Sequence, residues 1–230
     1  MKERKTMKNT RYSLRALARL LAYPDAAWRA ELPALLDVID EEQAVPVARR
    51  AELRALAAEL LRLDPFEVEA RYVDTFDRGR ATSLHLFEHV HGDSRDRGPA
   101  MIDLVQTYEK AGLFLGPEEL PDHLCVVLEF ASTQPSQLAR AFLAEMAHIL
   151  NAIFSALLKR ESPYAAVLAA VLELAGQKAQ AVPFAADEAM DEAWAEPQAF
   201  DGCSTRGQSR PGEPQPIHIV RQSPAARAAA

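Results

Sequence analysis

His85, Glu88, His89 and His91 crowd into one part of the stretch FDRGRATSLHLFEHVHGDSRDRGPAM, residues 76–101. Imidazole and carboxylate are ligands that zinc accepts, and His85 and His89 stand at i, i+4, so a helix over 84–90 would bring both to one face. The H-E-x-x-H pattern is absent, because Glu88 directly precedes His89 instead of following His85. No third ligand is set by spacing, and a histidine pair alone has many structural explanations, so no metal site is expected.

Acid–base chemistry is the next possibility. Glu88, Asp93 and Asp96 could move protons, but Arg95 and Arg97 flank Asp96 and favour an ion pair over a proton acceptor. The chain has no G-x-S-x-G, no glycine-rich phosphate loop, and no cysteine placed by motif beside a histidine. No catalytic residue is expected. A solvated cluster of ion pairs would be the plainest reading, yet Phe87 and Val90 are apolar within it, Gly92 and Gly98 supply backbone freedom, and Pro99 suits a helix start. Arginine beside aromatic residues on a loop of a helical scaffold is the chemistry of a binding surface.

The elements around this stretch read as helices. Leu14, Leu17, Leu20 and Leu21 make one stripe that ends at Tyr23-Pro24-Asp25. Trp28, Leu32, Leu35, Leu36 and Ile39 make a second, with Pro33 either kinking it or starting it anew. A third runs from Val47 to Leu63, and Asp64-Pro65 then reads as an N-cap followed by a first-turn proline. Met101, Leu104, Val105 and Tyr108 form a stripe that closes on Gly112, and another helix carries Leu124, Val127, Leu128 and Ala131. One long helix is expected from Pro135 to Arg160 and a last one from Tyr164 to Gln180. With alanine and leucine dominant and β-branched residues scattered, this predicts an all-α protein, a single bundle of about eight helices.

Composition narrows the function. A formal charge of −7 opposes non-specific binding to nucleic acid or to an anionic membrane surface. Arg15 and Arg19 interrupt the first apolar run, so it lacks the core of a signal peptide, and no run reaches the length of a membrane span. Cys125 and Cys203 form no metal or disulfide motif, which fits a reducing cytosol. Cytoplasmic localisation is expected, and Met7 offers a second start. The expected organisation is a flexible 1–10, a helical domain over 11–182, and a mostly disordered 183–230. That tail is rich in proline and glycine, and only its segment 187–200, with Met190, Trp194 and Phe200, could dock.

The stretch FDRGRATSLHLFEHVHGDSRDRGPAMIDLVQTYEKAGL followed by ELPDHLCVVLEFAS resembles the NarJ family, the delta-subunit or molybdenum-cofactor assembly chaperones of respiratory nitrate reductase. The resemblance spans about Tyr12 to Trp194 and is most specific over 71–131. It extends to the wider TorD/DmsD group through a Y-x-x-x-F element, Tyr72 and Phe76, and an E-x-P-D-H element, Glu119, Pro121, Asp122 and His123.

The resemblance implies an all-helical cytoplasmic chaperone rather than an enzyme. Its partner would be the N-terminal segment of the nitrate reductase α subunit, with cofactor-biosynthesis proteins as further partners. It would hold no cofactor stably itself but would keep its client open for insertion of the molybdenum bis-guanine dinucleotide cofactor, before membrane docking. The client segment would lie as an amphipathic helix in a groove. Phe76 and Phe87 would form the floor, although Tyr72 and Phe76, at i, i+4, fit the core better than a contact. Glu88, Asp93 and Asp96 would face basic client residues, Glu119 would also belong to the client-binding set, and Arg95 and Arg97 would meet acidic client residues or lock the loop. His89, His91 and His123 would orient the network and make affinity pH-dependent. Asp122 would start a helix or bind. The competing readings are a chaperone of this fold for another molybdoenzyme, and a metal- or nucleotide-dependent enzyme using the same cluster.

Overall fold

A computed structural model describes residues 8–92 and 94–182, which belong to a compact unit running Met1–Asp187. The sequence reading of 183–230, with its docking segment 187–200, and that of Asp93 fall outside the described residues. The described residues form ten α-helices and one 3-10 turn, with no strand among them. In order these are α1 Arg11–Leu20, α2 Ala26–Glu42, α3 Val47–Arg62, α4 Pro65–Phe76, the 3-10 turn Arg80–Thr82, α5 Leu86–Val90, α6 Arg97–Lys110, α7 Leu124–Thr133, α8 Ser136–Glu145, α9 Ala147–Lys159 and α10 Ala165–Leu174.

Helix starts follow local chemistry. The Asp25 carboxylate accepts the Trp28 N–H at 2.7 Å to cap α2, and the Asp64 carboxylate accepts the Phe66 N–H at 2.9 Å ahead of Pro65 in α4. Pro33 does not restart α2, which runs through it with Leu32 and Leu36 buried. The C-terminal carbonyls of α3 are satisfied from a distance: the Arg29 guanidinium donates to Leu60 O at 2.9 Å and to Leu63 O at 2.8 Å.

Nine of the ten residues of α10 are buried, which makes it the central helix, and α9, α3, α1 and α8 pack against it. α1 packs on α7 and α2, and α8 on α7. The long helix expected over Pro135–Arg160 is two helices, bent by 68° at Met146. No proline or glycine marks the break. α8 lies on α7 and α9 lies along α10, so tertiary packing makes the corner while the apolar period runs on unbroken. The last helix ends at Leu174, short of Gln180, because Gly176 takes a left-handed φ of +73°.

Candidate functional site

The two motifs meet in space. Backbone on either side of His85 and His123 runs antiparallel: the Leu86 N–H donates to Asp122 O at 3.0 Å and the Leu124 N–H to Leu84 O at 2.8 Å. The Asp122 carboxylate, with no exposed surface, uses Oδ2 to accept the Phe87 N–H at 3.1 Å. Asp122 therefore satisfies the first two N–H groups of α5 with its own carbonyl and side chain, capping a five-residue helix 35 positions earlier in the chain. It caps nothing on α7, whose N-cap residue His123 makes no side-chain cap bond.

Charge gathers round this cap. Asp122 Oδ1 faces His85 Nδ1 at 3.6 Å, an ion-pair approach longer than a full hydrogen bond, and among the described residues neither atom has a hydrogen-bond partner. Arg97, the first residue of α6, places a guanidinium nitrogen 3.9 Å from Asp122 Oδ2 and 3.6 Å from Glu88 Oε1. The His85 and His123 rings meet edge to face at 4.9 Å. Burial alone would push the Asp122 carboxyl up, but His85, the Phe87 N–H and Arg97 together outweigh it and hold it below 3.8.

The other predicted residues separate into three groups. Arg95 and Asp96 are exposed, and Asp96 exchanges hydrogen bonds with Ser94 at 3.2 and 3.3 Å. Glu88, His89 and His91 are half-buried: His89 Nε2 lies 2.8 Å from Ser83 O, which fixes that nitrogen as the donor, and His91 packs edge-on to Phe87 at 5.5 Å. Glu119 is exposed and its carboxylate accepts the Gly116 N–H at 3.1 Å, tightening its own loop. Tyr72 and Phe76 are not part of this surface. Both are buried in the main core, with rings 4.9 Å apart, and the Tyr72 hydroxyl donates to Leu21 O at 2.8 Å. The floor expected from Phe76 and Phe87 therefore reduces to half-buried Phe87.

His85 and His89 do not share a helical face, since His85 precedes α5 and His89 turns to Ser83. Among the described residues no group of three or more His, Cys, Asp or Glu side chains could hold a metal ion.

The model of the nitrate reductase delta subunit family matches residues 24–170, which include both motifs and every helix from α2 to α9. The chain belongs to that family. It is 42% identical over 188 residues to the nitrate reductase molybdenum cofactor assembly chaperone NarJ of Escherichia coli K12, covering 80% of this chain and 78% of the relative. A Bacillus subtilis protein named "Probable nitrate reductase molybdenum cofactor assembly chaperone NarJ" is 34% identical over 160 residues, 68% of this chain and 84% of that one. The fold matches a crystal structure of a candidate redox enzyme maturation protein from Archaeoglobus fulgidus, with a TM-score of 0.51 at 20% identity, over 77% of this chain and all of that one.

This delta-subunit chain also carries surface that motif reading passes over. Leu113, Phe114 and Leu115 follow Gly112 in the α6–α7 loop and, with Val126 and Phe130 of α7, line a small apolar cleft rimmed by Arg15, Glu119 and Glu129. Phe114 is 79% exposed. Three consecutive apolar residues between Gly112 and Gly116 are the signal that could have found it.

The two stacked histidines titrate in opposite senses. Its contact with Asp122 raises the His85 imidazole above 6.5, whereas burial, and then the charge of His85, lowers His123. His85 therefore contributes stability that is complete below 6.5 and lost as pH rises through its folded value. His123 contributes stability present above 6.5 and lost as pH falls towards its folded value. Thermal midpoints measured from about pH 5 to 8 should show His85→Gln losing the fall on the alkaline side and His123→Gln losing the fall on the acid side. Parallel profiles for both variants would remove the pairing from the account.

Proposed function

We propose that the chain is a cytoplasmic chaperone that binds the N-terminal segment of the nitrate reductase catalytic subunit. In this reading it holds the apoenzyme open for insertion of the molybdenum bis-guanine dinucleotide cofactor, and it catalyses no reaction itself. The observation that carries the reading is similarity over four-fifths of the chain to a relative named as that chaperone. The chemistry of the site agrees with it. Asp122, the most buried acid of the cluster, caps α5 and faces His85 and Arg97, so it serves to hold the site in shape.

What the site offers outward is mixed charge and apolar area. Arg95, Asp96 and Glu119 are exposed and Glu88 is half-buried beside half-buried Phe87, while Phe114 and Leu120 present apolar area. That combination suits an amphipathic client helix, apolar on one side and charged on the other. Calorimetric titration with a peptide from the N-terminus of the host's nitrate reductase α subunit tests the reading. Saturable binding is expected, and Arg95→Ala should weaken it by about fivefold, roughly 1 kcal/mol, while the protein stays folded. A folded protein that takes up no such peptide, or that prefers the equivalent segment of another molybdoenzyme, would overturn the assignment of client.

A further inference from the structure

The cleft beside Phe114 is small for a binding site. Its volume is about 180 Å³, whereas sites that bury most of a ligand run to roughly 300–1,000 Å³. Tyr108 of α6 forms one wall. Beyond that wall lies more apolar surface of the same kind, and α6 covers it.

α6 is fastened differently from the rest of the bundle. Only Leu104 and Tyr108 of its fourteen residues are buried, against nine of ten in α10. These two and Phe130 form a cluster separate from the main core, flanked by Phe87, Leu113, Leu115, Val126 and Phe142. Two polar ties complete the attachment: the Tyr108 hydroxyl donates to Pro121 O at 2.8 Å, and Arg97 reaches Glu88 and Asp122 at 3.6 and 3.9 Å. At the C-terminal end Gly112, with φ +79°, gives the chain a turn that other residues rarely adopt. A helix held by two apolar residues and ties at its ends is drawn from the low-stability part of a fold.

We propose that α6 is a displaceable cover, and that the client-binding floor continues beneath it over Phe130, Phe142 and Phe87. The proposal rests on the client-binding reading above and names how that site is regulated. The occupant is an amphipathic client segment carrying basic residues. Its apolar side replaces Leu104 and Tyr108 against Phe130, and its basic residues meet Glu119 and Glu129 on a rim where, among the described residues, Arg15 is the one cation. With α6 in place the floor stays shielded from water and from wrong partners. Binding must supply the opening, so apparent affinity is reduced by the fraction of molecules that are open.

Amide hydrogen exchange on the full chain tests this, alone and with the α-subunit peptide, in the parent protein and in Tyr108→Phe. In the free protein α6 amides are expected to exchange about tenfold or more faster than those of α7 and α10. Saturating peptide should speed α6 further while slowing α7. Tyr108→Phe keeps the ring and loses the bond to Pro121, so it should speed α6 and tighten peptide binding by about fivefold. Exchange of α6 at the rate of α10 in the free protein would overturn the cover whether or not the peptide binds. Protection of α6 by peptide, or weaker binding by Tyr108→Phe, would make α6 a fixed wall and overturn it equally. A peptide that fails to bind at all, with α6 exchanging fast, removes the client assignment and leaves the mobile helix standing.

Discussion

Asp122→Ala is expected to lower stability by about 3 kcal/mol or more, a fall in Tm of roughly 6–12 °C for a chain of this size. The side chain has no exposed surface, and its removal strands three groups at once. Among the described residues, the Phe87 N–H loses its acceptor at the start of α5, His85 Nδ1 loses the carboxylate it faces, and Arg97 keeps Glu88 alone. Breaking a buried charged contact costs more than the contact contributes, because the surviving partners stay desolvated. Asp122→Asn separates the two functions of the side chain. The amide oxygen can still cap α5, so stability falls by only about 1–2 kcal/mol. The lost charge lets the His85 imidazole relax towards 6.5, and the fall of stability above that pH should disappear. An Asp122→Ala protein as stable as the parent, by thermal and denaturant melting, would sink the capping role.

That role was not legible in the sequence, and the reason is distance along the chain. Pro121 and Asp122 stand just before α7, where a proline and an acidic residue ordinarily mark the start of the helix that follows. Local spacing can only assign a cap to the next helix, whereas this carboxylate reaches back 35 positions to α5. Asp64 and Pro65 have the same pairing of types and cap the helix that follows them, as the pattern predicts. The corner at Met146 was hidden for a related reason: the apolar period passes through it without a breaker, and only packing against α7 and α10 decides where the helix ends. What the sequence did reveal was the meeting of charge and histidine over 76–101, because such side chains are costly to bury and informative when crowded.

The same limit applies to Tyr72 and Phe76, whose i, i+4 spacing favours the core over a contact without deciding between them. The structure puts them inside, so Phe76→Ala is expected to behave as a core truncation. Phe76 is 4% exposed and lies between Tyr72 and Tyr164, with ring centroids 4.9 and 5.0 Å away. Truncation removes the buried ring, leaves a cavity among aromatic neighbours, and should cost about 3–5 kcal/mol, or roughly 6–20 °C in Tm. Tyr72→Phe, which deletes only the hydroxyl bonded to Leu21 O, should cost about 1 kcal/mol. Below its melting range the Phe76→Ala protein should bind the client peptide within about twofold of the parent, because no atom of the outward surface has moved. The opposite pattern, a small change in Tm with loss of the peptide by tenfold or more, would place this pair on the contact surface and show that the core opens there when the client arrives. Paired denaturation and calorimetry on the two variants distinguish these outcomes, since a core role moves stability and leaves affinity per folded molecule unchanged.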